Sequence, residues 1–105
     1  QEESTTKSRV LIKVGLKVAA QRQNGHLFHN LIINADYNIP HAELELLVGA
    51  DNDRDDSLEI LETDNGDITQ NTLKNVNLNH GRNLIKVRFA DNLKHTIKMK
   101  AYELQ

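Results

Sequence analysis

Six oxygen-bearing side chains recur through the stretch DNDRDDSLEILE, at Asp51, Asp53, Asp55, Ser57, Glu59 and Glu62. Calcium needs several hard oxygen donors around one point, and this spacing sets donors at the first, third, fifth, seventh, ninth and twelfth places of a loop, with Leu58 at the aliphatic eighth. A second possible chemistry lies in a basic row, Lys86, Arg88, Lys94, Lys98 and Lys100 with Arg82 beside it, which could meet an anionic partner. Five histidines complete the inventory. His26 and His29 are three apart, which on a strand sends them to opposite faces, so they do not converge on a metal. His29 and His95 fall on inward rows and read as core-edge histidines held by hydrogen bonds.

The acidic stretch resembles the calcium loop of an EF-hand in its ligands. It departs at Asp56, where that loop needs glycine for its sharp turn, and Asp64-Asn65-Gly66 follows too soon for an exiting helix. A solvated acidic turn between two strands is the simpler reading, with a looser inter-strand calcium site as the alternative. Nothing in the sequence matches a Gly-x-Ser-x-Gly nucleophile turn, a phosphate loop or a His-Glu-x-x-His zinc site, so there is no positive case for an enzyme.

Strands must position these residues. Val10, Ile12, Val14, Leu16 and Val18 form one period-two row, and after Asn24-Gly25 a second row runs Leu27, His29, Leu31, Ile33 and Ala35. Asn-Gly favours a two-residue turn, which predicts Val18 opposite Leu31, Leu16 opposite Ile33 and Val14 opposite Ala35. Pro40 precedes HAELELLVG, where Ala42, Leu44, Leu46 and Val48 alternate; strand is preferred over a competing helical stripe. Short strands are expected at 58–63 and around 73–78, the latter in an Asn-rich, poorly patterned segment. The end of the chain, NLIKVRFADNLKHTIKMKAYEL, predicts a closing hairpin. A three-residue loop Ala90-Asp91-Asn92 would set Phe89 against Leu93, Val87 against His95 and Ile85 against Ile97, with Asn92 left-handed.

About seven short strands joined by turns predict an all-β antiparallel sandwich of immunoglobulin-like topology, with residues 1–8 a disordered tail and 9–105 a single domain. In that topology the third strand neighbours the sixth, so Glu43 and Glu45 would answer Lys86 and Arg88 in a cross-strand ladder. At 105 residues with 38% apolar and 27% charged content, one soluble core is affordable and a membrane span is not indicated. A net charge of −2 gives no global attraction to nucleic acid, and Phe28, Tyr37, Phe89 and Tyr102, without tryptophan, make a poor base-stacking or sugar-stacking platform. The lack of cysteine excludes disulfides and thiolate sites but leaves the compartment open, with the cytoplasm preferred.

The ending RNLIKVRFADNLKHTIKMKAYEL is similar to the β-rich C-terminal tails of bacterial ATP-binding proteins of the GHKL class. The similarity covers the last fifth of the chain and none of that class's nucleotide motifs, and it implies that any catalytic part lies elsewhere in a longer protein. Together with a start at Gln1, it favours an excised, non-catalytic accessory module of a larger bacterial protein, cofactor-free, serving assembly or protein–protein recognition. Two alternatives stand beside it: a calcium-binding β module using residues 51–62, and a small enzyme domain whose site forms only in the fold.

Overall fold

The computed structural model describes residues 8–50, 53–54 and 58–105, with backbone alone at 50, 53 and 54. Ten strands run through the described residues: β1 (Arg9–Ile12), β2 (Gly15–Gln23), β3 (His26–Ala35), β4 (Ile39–Ala50), β5 (Asp53–Arg54), β6 (Ile60–Thr63), β7 (Asp67–Thr69), β8 (Thr72–Leu78), β9 (Gly81–Phe89) and β10 (Ile97–Leu104). None of these residues is helical, and among them no helix is long and apolar enough to cross a membrane.

The strands form two antiparallel sheets. One has the order β1-β10-β4-β8-β7, with β5 paired to β4, and the other is β2-β3-β9-β6. Their inner faces share one core, in which Leu31, Ile33, Ile85, Val87 and Phe89 from the second sheet meet Leu44, Leu46, Leu73, Val76 and Leu78 from the first. Each such side chain contributes about 1.5–3 kcal/mol on leaving water, which is why the inward rows were readable as alternation.

The first hairpin forms as the sequence predicts. Val18 pairs with Leu31 and Leu16 with Ile33, and Asn24 and Gly25 adopt φ of 53° and 81°, the two left-handed residues of a tight twisted turn. Pairing stops at Gly15, so Val14 and Ala35 are not partners. The row from Val10 to Val18 is also two strands: the chain leaves the first sheet after Ile12 and joins the second at Gly15, while Ile12, Val14, Leu16 and Val18 all keep their side chains against the core.

The closing hairpin does not exist. β9 sits between β3 and β6, β10 sits between β1 and β4 in the other sheet, and residues 90–96 cross from one to the other. Alternation was right for Ile85, Val87, Phe89, Ile97 and Ala101 within the two strands, which are buried, but it carries no information on which strand lies alongside. Asn92 is not left-handed; its side chain accepts the Leu27 N–H at 2.7 Å and donates to the Gly25 carbonyl at 2.9 Å, tying the crossing to the β2–β3 turn. Leu93, expected in the core, is 62% exposed.

The strand order also departs from the immunoglobulin one. That arrangement would place β9 beside β10 in one sheet, whereas here β9 lies in the second sheet and β10 in the first. With β2, β5 and β7 set aside, each paired to its neighbour in sequence, the orders β1-β10-β4-β8 and β3-β9-β6 are those of a jelly roll, in which successive strands alternate between sheets.

Candidate functional site

β2 is the outer strand of its sheet. Among the described residues it pairs only with β3, along all nine of its residues. Its inner side chains are less covered than those of its neighbour: Leu31 and Ile33 are fully buried, while Leu16 and Val18 are half-buried and Ala20 is exposed. The strand overhangs the core, leaving the sandwich open along this flank. A cleft of about 310 Å³ lies beneath the overhang, lined by Leu16, Val18, Ala20, His29, Lys94, His95, Thr96 and Ile97. A second depression of about 460 Å³ opens where β1 gives way to β2, between Ile12 and Val14 on one side and Met99 and Ala101 on the other, with Lys13 and Lys100 at its edge. A third, about 480 Å³, lies on the outer side of β2 among Leu16, Lys17, Ile32, Asn34 and Arg82.

The polar end of the cleft is built by the β9–β10 crossing. His29 is 1% exposed on the inner face of β3, and its Nε2 accepts the backbone N–H of His95 at 3.0 Å. That bond leaves the ring proton on Nδ1, which is buried without a hydrogen-bond partner among the described residues. Burial first, and then the neighbouring His95, push the His29 imidazole below its ordinary range. His95 Nε2 in turn lies 2.7 Å from Asp91 Oδ1, and the His29, His95 and Phe89 rings pack together with centroids 5.4–6.1 Å apart. The sequence showed both histidines as core-edge groups fixed by hydrogen bonds. It gave Asp91 only a turn role; the i, i+4 spacing to His95 is the signal that could have marked the pair.

The cations fall into two classes. Arg9 bonds the buried Glu43 at 2.6 Å and stacks over Tyr102, Arg88 bonds Glu62 at 2.9 Å, and Lys86 lies near Gln23 Oε1 and over the Phe28 ring. Lys13, Lys17, Arg82, Lys94 and Lys100, which line the three depressions around β2, make no ion pair or side-chain hydrogen bond among the described residues. No carboxylate lines those depressions.

The predicted basic surface is therefore divided. Lys86 and Arg88 lie on the outer face of the β9 sheet, Lys98 and Lys100 on the outer face of the β10 sheet, and Lys94 in the crossing between them. The expected ladder from Glu43 and Glu45 to Lys86 and Arg88 is absent because β4 and β9 belong to different sheets; Glu45 is instead opposite Lys100, and Glu43 opposite Tyr102. Of the calcium candidates, Asp51, Asp55 and Ser57 lie outside the described residues and Asp53 belongs to β5. Glu59 is exposed, and Glu62 turns its carboxylate to Arg88. Among the described residues no group of three or more acidic or histidine side chains could hold a metal.

No protein-family model, curated protein or solved structure matches the chain.

Proposed function

We propose that the chain is a non-catalytic β-sandwich accessory module that recognises a protein partner, and that recognition takes place along the β2 edge. The observation that carries this reading is a nine-residue strand, paired on one side only among the described residues, with a half-covered apolar row beneath it. A strand edge offers main-chain donors and acceptors to an extended peptide, and an adjoining apolar row offers pockets for alternate side chains.

The geometry says which groups are on offer. The tight turn makes Gln23 and His26 a doubly hydrogen-bonded pair, and bonded pairs then recur at Gln21, Ala19, Lys17 and Gly15. The N–H and C=O groups of Leu16, Val18, Ala20 and Arg22 consequently point away from β3. Amide hydrogen exchange tests the reading. In the free chain these four amides should exchange much faster than those of Lys17, Ala19 and Gln21, and an extended peptide of about nine residues that binds should slow the four selectively. Protection that appears elsewhere, with the four amides unchanged, would remove the β2 edge as the recognition element.

A further inference from the structure

We infer that the β2 edge selects an acidic extended segment, one that alternates apolar and carboxylate side chains, from another protein. The inference rests on β2 being the recognition edge and adds the chemistry of what it takes.

Charge complementarity carries it. Four cations lie around β2, namely Lys13 at one end, Lys17 and Arg82 on the outer side, and Lys94 in the cleft, and none forms an ion pair among the described residues. The chain as a whole carries more acid than base, so this concentration of cations is local. Like charges gathered without an answering carboxylate repel one another, and an incoming anion relieves that repulsion. A strand added beside β2 would present alternate side chains to its two faces. On the inner face they would cover Leu16, Val18 and Ala20, which reward apolar residues. On the outer face they would stand beside Lys17, which rewards carboxylates. A second copy of this chain fits less well: β2, GLKVAAQRQ, holds Lys17 and Arg22 and no acid, so a paired copy brings no carboxylate to Lys17.

The experiment uses the full chain and fluorescence anisotropy with labelled nine-residue probes. One alternates valine and glutamate, one alternates valine and lysine, and one has the valine–glutamate composition in two blocks. A single-stranded oligonucleotide of equal charge serves as a fourth ligand. The alternating acidic peptide should bind at least about tenfold more tightly than the basic or block peptide, and weaken as salt shortens the screening length. Ala20→Pro, which deletes one outward N–H and spares the β3 ladder, should abolish that binding. Lys17→Glu with Lys94→Glu, both exposed, should reverse the preference in a chain whose fold is untouched. Equal binding of acidic and basic peptides, both lost in Ala20→Pro, overturns the charge selection and leaves the edge standing. Binding that survives Ala20→Pro, an oligonucleotide bound as well as the peptide, or no binding by any probe overturns both.

Discussion

Between β6 and β9, Glu62 holds Arg88, Asp64 accepts the Lys86 N–H at 3.0 Å, and the small depression beside them, about 120 Å³, is lined by both signs of charge. Along β2, Lys13, Lys17, Arg82 and Lys94 form no ion pair among the described residues and the apolar row is half covered. One flank completes its contacts internally; the other, among the described residues, leaves its strand edge unpaired and these cations without ion pairs. Residues on the first flank and in the core should therefore govern stability. Residues on the second should be nearly silent for stability and decisive for binding.

The largest contrast is between neighbours on paired strands. Leu31 is fully buried between the sheets, so Leu31→Ala should cost about 3–4 kcal/mol in denaturant unfolding. Its cross-strand partner Val18 is half-buried in the overhang, and Val18→Ala should cost below about 1 kcal/mol. Equal losses would mean that the β2 row is as much a part of the core as β3.

Two glycines give the next contrast. Gly66, between β6 and β7, has φ +86°, and a Cβ there would stand 2.7 Å from Val76 Cγ2 and 2.8 Å from the Lys74 carbonyl. Gly66→Ala should cost about 2–3 kcal/mol, because the backbone must leave a left-handed conformation and a carbonyl must move. Gly15, at the start of β2, would place a Cβ 3.4 Å from Asn34 Cβ, an ordinary contact. Gly15→Ala should be neutral or raise stability by up to about 1 kcal/mol through a less flexible unfolded chain.

The acid side of the stability profile probes the polar end of the cleft. The folded His29 imidazole titrates below its unfolded value, so the unfolded chain takes up a proton first as pH falls. Its contribution is complete above the ordinary histidine range, about pH 6.5, and is lost as pH falls from there toward the folded value. Asp91, His95 and Lys94 face the same ring, and Asp91 opposes the shift. Thermal melts from neutral to mildly acidic pH should therefore decline, and His29→Gln should flatten that decline. An unchanged slope in the variant would place the acid sensitivity elsewhere.

How much of this was legible depends on what kind of signal each residue emits. Inward rows were read from alternation because burial is a property of one strand. The β2–β3 partnership was read because Asn24 and Gly25 supply two left-handed residues, a local cause. No local cause names the neighbours of β9 and β10: their rows fit a hairpin as well as they fit β3 and β4, and only the packing of the whole jelly roll chooses. In β8 the difficulty was a phase shift. Leu73, Val76 and Leu78 are all buried because Asn75, at φ 57°, inserts one extra residue, so no single period describes the strand. The open flank was hidden for a related reason. Lys13, Lys17 and Arg82 look like the outward members of ordinary strands, and whether such a cation finds an ion pair among the described residues depends on contacts distant in sequence.

The smallest expected effect bears most directly on the comparison of flanks. Arg88 and Glu62 form a partly exposed pair, whose side chains keep 24% and 55% of their surface, so the coupling should be modest. A double-mutant cycle with Arg88→Gln and Glu62→Gln should return about 0.5 kcal/mol at low salt and less as salt rises. The same cycle between Lys17 and Glu62 should return nothing, and Lys17→Gln alone should change stability by less than about 0.5 kcal/mol. Such a result would locate the cost of removing a cation at the closed flank only. If Lys17→Gln proved as costly as Arg88→Gln, Lys17 would have a counter-charge within the chain, and the open flank would be less available to an acidic strand.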